Sequence, residues 1–233
     1  MNIRYCIRTC TARVLLASAL YDRLRELTPP GTKIDIINDY IGRKPIKIFG
    51  NYLKHLKNTN DNTDLLVTLE DDAVLNENIH SNIISSPILE EKDILGCIQL
   101  SLFSVNDLRE PTTRYDYDYD CFIRETKLHY SCGLIFTRTM LDKMDIQKLE
   151  HSDSVEFDIE MTQTCLDSNL LFAIHYPSLV ASIPNIESAM GNKLVPLDDQ
   201  FSATWNRTEF NNERTIWKNR LKHIINTNKM MNI

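Results

Sequence analysis

The sequence lacks any apolar run that approaches the ~20 residues needed to span a bilayer. Its first ten residues, MNIRYCIRTC, contain neither an apolar segment nor the small-residue cleavage site of a secretory signal peptide. No internal repeat occurs, and the only low-complexity stretch is YDYDYD at 115–120. These absences exclude a helical membrane protein and a repeat array, and they predict a cytoplasmic protein without a membrane span.

Cysteine is present, but it follows no metal-binding or redox pattern. The six cysteines form no CxxC pair and no Cys/His cluster with zinc spacing. Four of them lie in apolar stretches, where we expect buried free thiols.

The composition is that of an ordinary globular protein. Of the 233 residues, 42% are hydrophobic and 25% are charged, which excludes a disordered chain, a collagen and a coiled coil. This length predicts one domain, or one domain with an appendage, and such a chain needs neither disulfide nor metal in order to fold. We place the domain at residues 1–200 and a basic helical extension at 201–233.

Charge is segregated along the chain, although the net charge is only −6. Residues 1–60 hold 11 basic and 4 acidic residues, residues 61–200 hold 9 and 26, and residues 201–233 hold 6 and 2. This pattern fits a protein whose ends bind anions and whose middle binds cations. It also fits three regions that interleave in space and neutralise one another.

Hydrophobic periodicity predicts an α/β protein. Alternation predicts strands at 3–7 and 32–37, with a helix at 13–27 between them. This β-α-β opening favours a parallel sheet flanked by helices. A helix from Pro45 has a basic face, and the apolar run LLVTL at 65–69 is typical of a central strand.

The second half of the chain continues the alternation of strands and helices. Strands are predicted at 129–136, at 170–177 and at 93–103, the last with a bulge near Gly96. Residues 104–127 read as irregular. The remaining predictions are helices at 138–148, at 154–168 with Ser152 or Ser154 as the N-cap, and at 205–228.

Three consecutive acids, Glu70, Asp71 and Asp72, follow the strand at 65–69 directly. Ligands of open α/β sheets bind at the carboxyl ends of the strands. Three adjacent carboxylates repel one another unless a cation lies among them, and Mg²⁺ and Mn²⁺ prefer oxygen ligands. The triplet therefore predicts a site for Mn²⁺ or Mg²⁺.

The order of these motifs resembles the GT-A glycosyltransferases, and small viral, phage and bacterial members with an EDD motif in particular. The resemblance covers roughly residues 1–190. It rests on the strand–helix–strand opening, the helix with Gly50-Asn51, the strand that ends in EDD, and two later stretches. These are HYSCGLIFTRTMLDKM at 129–144 and SDSVEFDIEMTQTCLDSNLLFAIHYPSLV at 152–180. It implies a single domain with a GT-A, Rossmann-like, mostly parallel sheet and a C-terminal helical tail.

The resemblance implies roles for the acidic triplet. Asp72 would bind the metal that bridges the two phosphates of a nucleotide-sugar donor. Asp71 would assist through water or the ribose, and Glu70 would face the ribose or base. Such a site neutralises the charge of the leaving diphosphate.

The loop after the first strand contacts the nucleotide in this fold, which implies that Arg8, Thr9 and Arg13 bind the donor. Arginine suits a diphosphate because its guanidinium is planar and always charged.

An inverting transferase also needs a carboxylate that takes the proton of the acceptor hydroxyl. The candidates, in order of preference, are Asp158, Glu156 and Asp153. Acids also favour helix N-termini for structural reasons alone.

One position departs from the family pattern. Related enzymes often place a metal-binding histidine after PSLV, whereas this chain has Ala181-Ser182-Ile183-Pro184 there. Either Asp72 and the phosphates hold the metal alone, or His175 or Glu187 compensates.

The sequence thus predicts a metal-dependent glycosyltransferase that uses a UDP-sugar or another nucleotide sugar. The acceptor is a glycan or a hydroxymethylated DNA base, since 20 asparagines suggest an AT-rich phage or viral genome. A sugar nucleotidyltransferase is the alternative within the fold, although Cys10–Arg13 lacks the glycines of that class. A non-catalytic sugar- or nucleic-acid-binding module is the second alternative.

Overall fold

In a computed structural model, the described residues are 1–39, 44–86, 89, 95–100, 122–125, 131–175 and 179–182. They form a mixed α/β fold with a central seven-stranded sheet in the order β2-β1-β3-β7-β5-β8-β6 and a two-stranded sheet, β4-β9. The strands are β1 (Ile3–Cys10), β2 (Lys33–Asp39), β3 (Leu65–Glu70), β4 (Ala73–Leu75), β5 (Leu95–Gln99), β6 (Phe122–Glu125), β7 (Gly133–Thr137), β8 (Leu171–His175) and β9 (Val180–Ser182).

Helices cover both faces of the central sheet. They are α1 (Val14–Leu27), which follows a short 3-10 turn (Thr11–Arg13), α2 (Pro45–Asn58), α3 (Ile79–Ile84), α4 (Arg138–Lys143), α5 (Ile146–His151) and α6 (Phe157–Asp167). None of the helices in these described ranges is both long and apolar enough to cross a membrane.

The sheet is mostly parallel, as predicted. β1 pairs in parallel with β2 and β3, and β5 pairs in parallel with β8. β7 is antiparallel to both β3 and β5, and β6 is antiparallel to β8. Five of the seven strands therefore run in one direction, and the carboxyl ends of β1, β2 and β3 meet at one edge.

Alternation along the central strands builds a core on each face of the sheet. Tyr5 and Ile7 of β1 pack on the side of α1 and α3, whereas Cys6 faces α2 and α4–α6. β3 is buried on both faces, with Leu66 on the α2 side and Val67 on the α1 side. This double burial explains why LLVTL is continuously apolar rather than alternating.

Several element predictions are confirmed. The β-α-β opening is parallel, and the register of β5 shifts between Leu95 and Cys97, where the bulge at Gly96 was predicted. Cys6, Cys97, Cys132 and Cys165 are buried free thiols. Cys121 lies outside the described residues, as do the YDYDYD stretch and the extension at 201–233.

Other predictions are wrong. The single helix at 138–148 is two helices, because Met144 is extended and the Asp145 carboxylate accepts from Lys148 N to begin α5. α6 begins at Phe157 with Glu156 as the N-cap residue, so neither Ser152 nor Ser154 is its N-cap. The stretch read as irregular contains β6, and α3, β4 and β9 were not predicted.

Candidate active site at the carboxyl edge of β1 and β3

The predicted donor residues converge at the carboxyl edge of β1 and β3. Arg8 and Glu70 are register partners in the parallel pairing of the two strands. Asp71 N then donates to Arg8 O at 3.1 Å, which extends the contact between the two strands by one residue beyond Glu70. The turn is held on its far side by β4, which pairs with β9. The three carboxylates therefore lie at a fixed corner between two sheets.

Asp71 is the most buried carboxylate of the group, with 4% of its side chain exposed. Its Oδ2 accepts from Thr9 Oγ1 at 2.6 Å, and its Oδ1 lies 2.7 Å from Arg13 Nη2. Burial raises the pKa of Asp71 to about 6, although Arg13 and Thr9 oppose that rise. Thr9 and Arg13 thus favour the ionised form of a carboxyl group whose burial favours the protonated form.

Asp72 shares the same arginine. Its Oδ2 also lies 2.7 Å from Arg13 Nη2, and 14% of its side chain is exposed. Burial and then the neighbouring Glu70 raise the pKa of Asp72, against the effect of Arg13. Burial alone would lower the pKa of Arg13, but Asp72 and Asp71 outweigh it and raise that pKa above its usual value.

Glu70 is held by a different set of partners. Its Oε1 accepts from Ser131 Oγ and lies 3.3 Å from Arg8 Nη2. Arg8 also donates to the carbonyl of Ser131, and its Cζ lies 3.9 Å from the centre of the Phe157 ring. Only 9% of the Arg8 side chain is exposed, and its contacts join β1 to β3, to the segment before β7 and to α6.

The three candidate bases lie before and within the first turn of α6. Phe157 is buried against Phe49 and touches Arg8, so the first turn of α6 borders the carboxylates. Asp158 follows Phe157, is half-buried and accepts from Ile159 N at 3.0 Å. Glu156 is exposed, and Asp153 has 84% of its side chain exposed and lies 3.3 Å from Lys44 Nζ.

The sequence did not single out Ser131 or Phe157. Both reach the site through non-local packing, since Ser131 precedes β7, the antiparallel neighbour of β3. The only available signal was their position inside the two stretches that carry the family resemblance.

The acidic corner offers an incomplete set of metal ligands. No group of three or more His, Cys, Asp or Glu side chains within the described ranges is arranged to enclose a metal. However, Asp72 Oδ1 is buried and accepts no hydrogen bond there. Mg²⁺ is commonly held by one or two carboxylates together with substrate phosphates and water. The carboxylates of this group are therefore suited to a divalent cation that binds together with a diphosphate.

Ser182, which stands where the enzymes that this sequence resembles often have a histidine, lies close to Asp72 in the fold. Ser182 of β9 is the register partner of Ala73, the residue after Asp72. Ser182 is buried, and its Oγ lies 3.3 Å from Cys132 Sγ. His175 is buried at the end of β8, and Glu187 lies outside the described residues.

A separate cavity of about 470 Å³ lies at the opposite end of the sheet. Its wall includes Asp64, which precedes β3, and Arg138, which begins α4, but none of the predicted site residues.

The sequence matches no protein-family model and no curated protein. Several solved structures align with this chain at low TM-scores and low sequence identity. A protein of the virus STIV aligns with a TM-score of 0.47 and 14% identity over 88% of this chain and 99% of that one. A glycosyltransferase involved in glycosylation of the major capsid of PBCV-1 aligns with a TM-score of 0.45 and 8% identity over 80% and 95%.

A third structure is CMP:2-keto-3-deoxy-manno-octonic acid synthetase complexed with CTP, with a TM-score of 0.47, 9% identity and 78% and 93% coverage. Similarity at this level assigns a role to no residue of this chain.

Proposed function

We propose that this protein is a glycosyltransferase that moves a sugar from a nucleotide-sugar donor to an acceptor hydroxyl. The observation that supports it is the convergence of Arg13 with Asp71 and Asp72 at the carboxyl edge of parallel strands. A cation-binding carboxylate beside a buried arginine suits the two phosphates of such a donor.

The residues proposed to bind the nucleotide-sugar donor have different roles. Asp72 is the proposed ligand of Mn²⁺ or Mg²⁺, which when bound would neutralise charge on the leaving diphosphate. Arg13 is the guanidinium that contacts the phosphates, and Thr9 keeps Asp71 in place through its hydroxyl. Glu70 faces the ribose or base, and Asp71 assists through water or the ribose. Arg8 holds Glu70 and packs on Phe157, so its contribution to donor binding is largely positional.

Asp158 is the preferred base for an inverting transfer. It takes the proton of the acceptor hydroxyl as the oxygen attacks the sugar carbon. Its place directly after Phe157, whose ring touches Arg8, favours it over the more exposed Glu156 and Asp153.

The proposed acceptor is a glycan or a hydroxymethylated base of DNA, in a phage or viral setting. The basic residues of 43–57 and 205–229 could contact a phosphate backbone. The net charge of −6 favours a glycan instead.

A sugar nucleotidyltransferase is the alternative function within this fold. The connection between β1 and α1 is the three-residue turn Thr11–Arg13, which contains no glycine to bring its backbone against a triphosphate. Release of pyrophosphate from a nucleoside triphosphate and a sugar phosphate would identify that activity. A binding module would bind the sugar or nucleic acid without turnover.

A screen of nucleotide sugars with Mn²⁺ tests the proposal. Each donor is incubated with the protein and with glycans, hydroxymethylated duplex DNA or water as acceptor. We expect release of a nucleoside diphosphate from one donor and its dependence on Mn²⁺. Release of pyrophosphate from triphosphates, or the absence of any turnover, would contradict the proposal.

A further inference from the structure

A single nitrogen of Arg13 serves two carboxylates. Nη2 lies 2.7 Å from Asp71 Oδ1 and 2.7 Å from Asp72 Oδ2, and 16% of the arginine side chain is exposed. Arg13 Nε is buried without a hydrogen-bond partner among the described residues. The two carboxylates therefore share one guanidinium nitrogen, and neither pair has the bidentate geometry that makes arginine–carboxylate pairs strongest.

Arg13 lies beside Asp72, the carboxylate that a divalent cation would use as a ligand. Asp72 has one oxygen on Arg13 and a second, Oδ1, that is buried without a hydrogen bond from the described residues. A dication bound to Oδ1 would share this carboxylate with the guanidinium, and the two positive charges would repel each other at short range.

The net charge of the corner is the same without ligands and with both ligands bound. Glu70, Asp71 and Asp72, when ionised, face the guanidiniums of Arg8 and Arg13, which leaves one negative charge. A dication alone reverses this sign, and a diphosphate sugar alone adds two more negative charges. Both together restore the single negative charge. Binding of either ligand alone therefore changes the net charge of these partly buried groups, whereas binding of both ligands leaves it unchanged.

We propose that Arg13 is a built-in counter-ion that competes with the divalent cation for Asp72 and transfers to the diphosphate when both ligands bind. Lone cations are thereby held off, and cation and diphosphate bind with positive coupling. The proposed transfer of Arg13 to the diphosphate rests on the proposed function. The competition between Arg13 and the cation does not, because it concerns the unliganded protein.

The test measures Mn²⁺ binding without nucleotide, by the electron paramagnetic resonance signal of free Mn²⁺. The variants are Arg13→Gln, which removes the charge at similar size, and Arg25→Gln, an exposed arginine of the same helix. We expect Arg13→Gln to bind Mn²⁺ about 10-fold more tightly than the wild type, a coupling within the usual range between sites. Arg25→Gln should match the wild type.

Thermal unfolding gives a second measurement. In EDTA, Arg13→Gln should melt at a lower temperature than the wild type, since two buried carboxylates lose their counter-ion, and Mn²⁺ should raise its midpoint more than that of the wild type. If Arg13→Gln does not fold, Arg13→Lys replaces it, with a smaller gain in Mn²⁺ affinity expected.

Equal Mn²⁺ affinity of the wild type and the Arg13 variant overturns the inference, as does the absence of binding by both. These results do not depend on whether any nucleotide sugar is turned over. If the protein turns over no nucleotide sugar but its Arg13→Gln variant gains Mn²⁺ affinity, the proposed function is contradicted and the competition between Arg13 and the cation is supported.

Discussion

Each acid of the Glu70–Asp72 triplet has its own environment. Glu70 is tied to Arg8 and Ser131, and Asp71 has both oxygens bonded, so neither carboxylate can reorient without breaking contacts. Asp72 keeps one buried oxygen without a hydrogen bond from the described residues. The triplet therefore combines two positioned acids with one available ligand, which agrees with the assignment of the metal to Asp72.

Substitution of the acids before and within the first turn of α6 tests the assignment of the base. Asp158→Asn should bind the donor normally and lose roughly 10²–10⁴-fold in transfer rate, the usual size of general-base catalysis. Glu156→Gln and Asp153→Asn serve as matched controls, and their rates should stay near that of the wild type. The measurement is the rate of sugar transfer at a saturating concentration of the donor. Near-normal rates for all three variants would exclude a carboxylate base in this segment.

The acids were predicted because they stand at the end of a strand, and the arginines because the family resemblance placed them in the loop after the first strand; the structure instead has Arg8 within β1 and Arg13 in the 3-10 turn that follows it. Glu70 and Arg8 end or nearly end a buried strand, and parallel strands bring their carboxyl ends together. Ser131 and Phe157 could not be predicted in this way. Their contacts depend on the order of β3 and β7 and on the packing of α6, which are properties of the whole sheet.

Among the elements, the contact between α2 and α5 is unusually close. A Cβ at Gly50 would lie 2.8 Å from Glu150 N and 2.9 Å from Leu149 Cβ, so only glycine fits this face of α2. The same helix bonds its neighbour through Lys54 Nζ, which lies 2.8 Å from Glu150 Oε1. Gly50 therefore fixes the distance of α2 from the helical segment that leads to α6.

Gly50→Ala should lower the free energy of unfolding by ~1–3 kcal/mol, the usual cost of overpacking, because backbone cannot yield as a flexible side chain does. Asn51→Ala, at an exposed position of the same helix, is the control and should change stability little. Denaturant unfolding of both variants measures the difference. An unchanged midpoint for Gly50→Ala would show that α5 moves freely away from α2.

Local periodicity predicted long elements better than short ones. β1, α1 and α2 were predicted because their apolar positions recur over several turns or pairs. α3, β4 and β9 contain six residues or fewer, and the last two exist only because they pair with each other. The break at Met144 was missed since the surrounding sequence continues with helical spacing.

At the scale of the whole molecule, the segregated charges meet across the fold. Lys44 pairs with Asp153, Lys54 with Glu150 and Arg13 with Asp71 and Asp72, so basic residues of the first 60 face acids of the middle region. The interleaving interpretation is therefore confirmed for these pairs. Any binding of nucleic acid to the surface around α2 would therefore involve lysines whose charge is already partly neutralised by these acids.

The basic extension at 201–233 is the remaining candidate for contact with DNA. If helical, it places Arg214, Lys218 and Lys222 on one stripe. Three cations neutralise about three phosphates, so log K for duplex DNA should fall with log salt at a slope near −2 to −3. Charge reversal at Lys218 and Lys222 should weaken duplex binding and leave transfer to a small acceptor unchanged. A lower melting temperature with unchanged duplex affinity would make the extension structural.

The measurement that tests the central claim most directly is calorimetry of nucleoside diphosphates with Mn²⁺, on the wild type and Asp72→Asn. Asp142→Asn, an exposed acid paired with Arg138 at the other end of the sheet, is the control. We predict Mn²⁺-dependent binding of at least one nucleoside diphosphate to the wild type and the control, and its loss in Asp72→Asn at an unchanged melting temperature. Equal binding by Asp72→Asn would contradict the assignment of the site.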